Sequence, residues 1–177
     1  AAVTANATST VALLPGSIGG VWGYRHEFAG SGRWMAWLLL PSLLGGILGA
    51  ALLVLLPAES FKRLVPWLIL TAACLFTLQP WIARKTGIGQ PHAAPKRSTM
   101  MMIAGFQFLV SIYGGYFGAG IGILMLTALA MMGQSDIHKM NALKSLCGTC
   151  INGVAAAWFV WQGQVEWRWA VPMAVAA

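Results

Sequence analysis

The segment Gly114-Gly115-Tyr116-Phe117-Gly118-Ala119-Gly120-Ile121-Gly122 lies in the middle of a strongly apolar stretch that runs from Met100 to Met132. Each glycine in a helix interior costs about 1 kcal/mol relative to alanine, and five glycines fall within these nine residues. The apolar flanks are typical of membrane-buried helices, in which non-helical backbone persists only when it is buried in protein or lines a cavity. The segment therefore predicts a broken helix, the device with which secondary transporters aim free backbone groups at a solute.

A second interpretation of the same glycines is close helix packing, because small residues allow two membrane helices to approach each other. The two interpretations are compatible, since some glycines can pack against a neighbour while others interrupt the helix. The sequence favours the break and leaves the packing role open.

The composition places the chain among membrane proteins. Hydrophobic residues make up 58% of the 177 residues and charged residues only 8%, whereas soluble domains carry about 25% charged residues. The net charge of +7 comes from bases in separate loops between apolar runs, so it indicates topology and not a nucleic-acid-binding patch. A crossing needs about 20 apolar residues, which predicts spans at Ala5–Tyr24, Trp34–Leu56, Leu64–Ile82, Met100–Tyr113, Gly120–Met132, Asn141–Trp161 and Trp169 onward.

One polar linker, residues 84–98, divides the apolar runs and carries Arg84, Lys85, Lys96 and Arg97. The positive-inside rule places this linker in the cytoplasm. The loop from Arg25 to Arg33 lies two crossings earlier, so it is expected on the same side of the membrane.

An internal repeat is visible in one register. Asn6-Ala7 aligns with Asn141-Ala142, and at the same offset Arg33-Trp34 aligns with Arg168-Trp169 and Thr10 with Ser145. We therefore expect residues 1–83 to be a remnant of a first transmembrane repeat and residues 99–177 to be a truncated second repeat. Only five residues precede Asn6, too few for a first Gly-rich break, so the chain is expected to be an internal fragment. The predicted fold is an all-α, polytopic transmembrane helical bundle with internally repeated halves.

These features resemble the sulfite exporter TauE/SafE family of bacterial membrane transporters. The resemblance rests on the Gly114–Gly122 element, the Asn-Ala pairs at Asn6 and Asn141, and the Arg-Trp pairs that open the next spans. It implies a secondary carrier, without enzymatic activity or cofactor, for sulfite, sulfonate-like or related small anions. It also implies a multi-pass protein of the bacterial cytoplasmic membrane, with two homologous halves that each contain a Gly-rich element.

The candidate substrate-binding residues offer hydrogen-bond donors or positive charge to an oxyanion. Lys144 is the one formal charge inside an apolar span, and Asn141 and Ser145 lie beside it on the same predicted helix. An ionisable residue within the membrane usually marks function, although a lysine can also extend back to the interface, and the sequence leaves these alternatives open. The full set is Asn6, Ser9, Thr10, Gly115, Gly118, Gly120, Gly122, Asn141, Lys144 and Ser145.

The repeat leads to an expectation about position. Asn6 and Asn141 are predicted to approach each other across the interior, because equivalent elements of paired halves face a shared axis. Lys144 is predicted to lie within reach of the Gly118–Gly122 turn. Asn152 lies one turn beyond Thr149 and could line the same cavity, but a contact between helices is the favoured interpretation.

Two other classes of function remain as alternatives. A membrane-embedded redox or metal subunit would use Cys147 and Cys150, but the sequence places no histidine inside a span and buried cysteines commonly serve packing. A structural membrane subunit would use the Gly-rich segment only for contact. The expected partners are the lipid bilayer and a small anionic substrate, and assembly into a homo-oligomer stays open.

Overall fold

The computed structural model describes residues 2–86, 97–131 and 136–177, and within these ranges all regular structure is helical. The predicted all-α class is confirmed for these residues. The helices are α1 (Ala2–Ala12), α2 (Leu14–Gly23), α3 (Gly32–Leu55), α4 (Ala58–Thr86), α5 (Arg97–Tyr116), α6 (Ile121–Met131), α7 (Ile137–Trp161) and α8 (Trp167–Ala176), with a 3₁₀ turn at Arg25–Phe28 before α3.

Two of the described helical segments, Met35–Leu55 and Ile137–Trp161, are long and apolar enough to cross a membrane, and Met100–Tyr116 is a shorter apolar helix. The predicted span Leu64–Ile82 lies within the longer helix α4. The predicted linker 84–98 is shorter in the structure, because α4 continues to Thr86 and α5 begins at Arg97. Its central part, residues 87–96, lies outside the described residues.

The predicted span Ala5–Tyr24 contains both α1 and α2. Pro15 has no N–H group, so it cannot donate to the carbonyl one turn earlier, and the helical assignment is interrupted at Leu13. Leu13 N nevertheless donates to Ser9 O at 3.0 Å, and Ser17 N donates to Leu13 O at 3.1 Å. The two helices therefore follow one path with a local interruption.

The centre of the bundle is the contact between α3 and α5, which run parallel. A Cβ atom added at Gly45 would lie 2.6 Å from Ser111 Cβ, and one added at Gly49 would overlap Ile112 O. A Cβ added at Gly115 would overlap Gly46 O. Only glycine allows the two backbones to approach this closely, so the packing role is realised at Gly115.

Helix α7 packs on the other side of α3 and runs in the same direction. Gly46 faces Ile151 and Val154 of α7, and an added Cβ would lie 2.8 Å from Val154 Cγ2. Consequently α3, α5 and α7 all begin at one end of the bundle. The loop preceding α3 and the start of α5 share that end, as the sequence predicts, and it carries Arg25 and Arg97.

The break predicted between Gly114 and Gly120 is present. Helix α5 ends at Tyr116, α6 begins at Ile121, and Gly118 and Gly120 between them have φ angles of +86° and +77°. These values lie in the left-handed region, which costs about 1–2 kcal/mol for a residue with a side chain. Of the glycines in this segment, Gly115 therefore packs while Gly118 and Gly120 turn the chain.

Helix α6 runs back towards the end of the bundle where α5 began. Gly114, near the end of α5, faces both Ile121 of α6 and Ile151 of α7. Helix α7 begins at the same end of the bundle as α5. Consistent with this path, Met125 of α6 belongs to the same buried cluster as Met100 and Met140, close to the starts of α5 and α7.

A buried polar cluster joins α3 and α5. Gln107 Nε2 donates to Ser42 Oγ at 3.0 Å and to Ser111 Oγ at 3.4 Å. All three residues are at most 1% exposed. Both hydroxyls donate to carbonyls one turn earlier in their own helices, Leu38 O and Gln107 O. A buried polar group without a partner is costly, so this cluster fixes the register of the two helices.

We predict that Gly115→Ala destabilises the protein, because the new methyl group meets the backbone of α3. Overpacking of this kind costs about 1–3 kcal/mol, which should lower the melting temperature of the detergent-solubilised protein by several degrees. Gly105→Ala is the matched control, since it lies on the same helix and its added Cβ has no atom within 4 Å. An equal melting temperature for the two variants would contradict the proposed contact.

Candidate functional site

A cavity of about 550 Å³ lies between α2, α6 and α7. Its α7 wall extends from Lys144 to Asn152, which is the middle of a helix that runs from Ile137 to Trp161. The cavity therefore lies at mid-depth in the bundle. Its lining residues are Leu13, Gly16, Ser17, Gly20, Ile121, Gly122, Met125, Lys144, Ser145, Gly148, Thr149, Asn152 and Ala177.

Lys144 is the one charged side chain in this lining. It is half-buried, and its stem lies beside the start of α6, where a Cβ atom added at Gly122 would be 3.4 Å from Lys144 Cδ. The Gly-rich break and the lysine are thus brought together across the cavity, as the sequence predicts. A larger residue at position 122 would compete with the lysine stem for space.

No carboxylate pairs with Lys144 in the described part of the chain. Glu59 pairs with Lys62 at 2.8 Å and Glu166 with Arg168 at 3.4 Å. The Asp136 carboxylate accepts from the backbone N–H groups of His138 and Lys139 at the start of α7. The charge of Lys144 therefore has no carboxylate partner among these described residues, which favours an anion as its ligand.

Polar groups on α2 and α7 surround the lysine. Thr149 Oγ1 donates to the backbone carbonyl of Ser17 at 3.1 Å, which ties α7 to α2 along the cavity wall. Ser145 and Asn152 also face the cavity, and neither side chain has a hydrogen-bond partner among the residues described. These groups remain free to hydrogen-bond a ligand.

The start of α6 adds a second source of positive potential. Ile121 and Gly122 form the first turn of this helix and line the cavity. The first N–H groups of a helix have no partner within it, and a helix N-terminus carries roughly half a positive charge. The start of α6 and the side chain of Lys144 therefore both make the potential in the cavity more positive.

The other predicted site residues do not line this cavity. Gly118 and Gly120 form the turn before α6, and Gly115 packs on α3. On α1, Thr10 Oγ1 donates to the carbonyl of Asn6 in its own helix at 2.9 Å. Ser9, Thr10, Asn6 and Asn141 are all outside the cavity lining.

The expectation that Asn6 and Asn141 approach each other is wrong. Ala7, next to Asn6, belongs to a buried cluster with Ala155 and Phe159 near the end of α7. Asn141 is fourteen residues before Ala155, a distance of about 21 Å along the helix. The physical reason is the direction of the helices. Ser17 meets Thr149 while Leu14 meets Gly153, so α1 and α2 run antiparallel to α7. Positions that align in the sequence, such as Asn6 and Asn141, therefore lie far apart.

Three polar residues of the cavity were missed or interpreted differently from the sequence: Ser17, Thr149 and Asn152. Their signal was present, because Ser145, Thr149 and Asn152 recur on one face of a helix at the spacing that brings side chains together. Ser17 also occupies the position equivalent to Asn152 in the register that aligns Asn6 with Asn141. The helix face of Lys144 was therefore a better guide than the Asn-Ala pairs.

The cysteines do not line the cavity. Cys147 is buried and Cys150 half-buried on α7, and all three cysteines of the chain are free thiols. Within the described ranges there is no group of three or more His, Cys, Asp or Glu residues able to hold a metal ion. These residues therefore offer no set of metal ligands that would support a redox or metal-binding function.

We predict that a cysteine introduced by Ser145→Cys reacts faster with a negatively charged thiol reagent than with a positively charged one of equal size. Two unit charges about 4 Å apart attract by about 1 kcal/mol even in water, a rate factor of about five. Mass spectrometry of the labelled peptide would locate the adduct against the native cysteines. Leu146→Cys, next to Ser145 but outside the lining, is the control. No preference at Ser145→Cys would contradict a positive cavity.

Comparison with known proteins gives one family match. The family described as sulfite exporter TauE/SafE matches residues 1–177. A probable membrane transporter protein, ORF9, from Sinorhizobium sp is 26% identical over 133 residues, covering 74% of this chain and 48% of that protein. A probable membrane transporter protein from Haemophilus influenzae is 27% identical over 135 residues, covering 74% of this chain and 49% of that protein.

No solved structure matches the chain. The chain spans about half the length of the curated relatives that it matches. The family match, in contrast, covers every residue from Ala1 to Ala177. The chain belongs to the sulfite exporter TauE/SafE family of membrane transporters.

Proposed function

We propose that this chain forms part of a secondary carrier for a small anion and that the cavity between α2, α6 and α7 is its binding site. The single observation that carries the proposal is Lys144, a cation at mid-depth without a carboxylate partner among the described residues. Charged residues inside a membrane are costly and usually functional. An anion that neutralises Lys144 explains why the charge is retained there.

The chemistry of the cavity suits an oxyanion. An anion that leaves water loses several kcal/mol of solvation unless protein groups replace it. Lys144, the hydroxyl of Ser145, the amide of Asn152 and the N–H groups of Ile121 and Gly122 supply such replacement. Sulfite, sulfonate-like and related small anions are the proposed substrates, in keeping with the family name and the names of the similar transporters.

The arrangement of the helices supports inverted repeats. The helix pair α1–α2 and helix α7 cross in opposite directions, as two repeats of opposite topology do. Two pairs of register-equivalent residues line the cavity together, Leu13 with Gly148 and Ser17 with Asn152. These pairs support a site between the two proposed repeats, the usual location of substrate in carriers built this way.

The distribution of basic residues supports a topology. The starts of α3, α5 and α7 lie at one end of the bundle, and this end carries Arg25, Arg97 and Lys139. By the positive-inside rule this end faces the cytoplasm. We propose a multi-pass protein of the bacterial inner membrane in which the break at Gly118 and Gly120 lies towards the opposite side.

The decisive experiment is anion flux in vesicles that contain the full-length protein with Lys144→Met. This change keeps the length of the side chain and removes its charge. A hydrogen bond to a charged group contributes about 1.5–3 kcal/mol, so we expect flux at subsaturating anion to fall by about 10- to 100-fold.

Lys139→Met is the matched control, because Lys139 lies on the same helix but outside the cavity lining. Its flux should stay close to that of the wild-type protein. Wild-type flux in a folded, well-expressed Lys144→Met variant would reject the role of Lys144 and favour a lysine that extends to the interface.

A further inference from the structure

Asn6 makes a contact that the anion site does not explain. Its Nδ2 donates to the backbone carbonyl of Tyr116, 110 residues away in the chain, at 3.4 Å. Tyr116 is the last residue of α5, immediately before the break. We propose that Asn6 is a positioning residue: it holds the end of α5 from the other repeat and thereby fixes where α6 starts relative to Lys144.

The carbonyl of Tyr116 needs a donor from elsewhere because of the break. In a continuous helix it would accept from the N–H of Gly120, but the last four carbonyls of a helix have no such partner. The last helical bond here is from Phe117 N to Tyr113 O at 2.9 Å, and Gly118 N shares the same acceptor at 3.3 Å. A side-chain donor at the end of the helix is therefore the means of satisfying Tyr116 O.

Other buried donors in this region do not take this role. The Tyr116 hydroxyl and the Trp158 indole N–H are both buried without a hydrogen-bond partner among the residues that the structure describes. Trp158 packs against the same cluster that contains Ala7 and Tyr116. Asn6 is thus the side chain that donates to this carbonyl within the described part of the chain, and its loss leaves no evident substitute.

The contact between Asn6 and Tyr116 lies where it can set the position of α6, which forms one wall of the cavity. Before the break, α5 is held against α3 at Gly115. After it, α6 follows two glycines with positive φ and places Gly122 beside the stem of Lys144. A bond at Tyr116 O lies at the boundary between the fixed helix and the helix that forms the cavity wall.

The contact between Asn6 and Tyr116 joins the two proposed repeats. Asn6 belongs to α1, in the proposed first repeat, whereas Tyr116 belongs to the second. The Asn-Ala pair in the middle of α1 therefore contacts the end of α5, before the break, and lies outside the anion cavity. This accounts for a polar residue at position 6 that lies outside the cavity.

The test is Asn6→Leu in the full-length protein, followed by amide hydrogen exchange of the peptide that covers residues 117–123. Loss of the bond should raise the exchange rate of this peptide by about fivefold or more, the factor that corresponds to about 1 kcal/mol. It should also lower the maximal rate of anion flux several-fold, with a smaller change in the anion concentration that gives half-maximal flux, because Asn6 does not touch the anion.

Asn6→Asp is the second variant, since it has nearly the same size but an ionised carboxylate cannot donate to Tyr116 O. It should raise exchange in the same peptide, and it keeps the inference testable if the leucine variant does not fold. Thr71→Val is the control: it removes a hydroxyl whose bond stays within its own helix, to Trp67 O at 2.8 Å. Exchange and flux should then match the wild type.

Wild-type exchange at residues 117–123 in either folded Asn6 variant would overturn the inference. Increased exchange with unchanged flux would also overturn the positioning role and leave a purely structural bond. The inference rests on the proposed function only for its flux measurement. Normal flux in Lys144→Met together with altered exchange in Asn6→Leu would reject the anion site while it supports the Asn6 contact.

Discussion

The close approach of α3 and α5 is the constraint on which the rest of the structure depends. Gly45 and Gly49 on α3 and Gly115 on α5 remove the side chains that would hold the two backbones apart. Helices in a membrane gain little from hydrophobic association with each other, so close packing and polar contacts have to hold them. The buried Gln107 amide bonds to hydroxyls of both helices and adds a polar contact at the same interface. Helix α7 then packs against the opposite side of α3 at Gly46.

The packing of α5 against α3 determines how the break at Gly118 and Gly120 changes the path of the chain. Because α5 is held along its length, the turn at Gly118 and Gly120 redirects only the chain that follows. The described part of helix α6 is eleven residues long, about 16 Å, or about half of a bilayer crossing of about 30 Å. It brings its N-terminus, and not its C-terminus, to the middle of the bundle. A negative ligand is favoured there by the direction of the helix dipole.

One face of α7 lines the cavity, and another face is buried in the core. Lys144, Ser145, Gly148, Thr149 and Asn152 line the cavity, whereas Cys147 and Ile151 are buried in the core. The same helix therefore stabilises the bundle with one face and presents charge and hydrogen-bonding groups with the other. Gly46 of α3 meets α7 at Ile151 and Val154, on the helix that also carries Lys144. In this arrangement small changes in the packing of α3 and α7 would alter the dimensions of the site.

The sequence by itself determined the helical class, the approximate helices and the break, because glycine density ends a helix. It also singled out Lys144 as a charge within an apolar run, since such a charge is costly wherever it is buried. It also indicated that Gly122 and Lys144 belong together. Only the tertiary structure decided that Gly115 packs while Gly118 and Gly120 turn the chain, since the difference depends on the position of α3. Likewise, Asn6 and Asn141 look equivalent in the sequence, but the antiparallel crossing of their helices places them at opposite ends. An internal repeat reports which elements correspond and not how they are oriented, because orientation is set by the number of times the chain reverses between them.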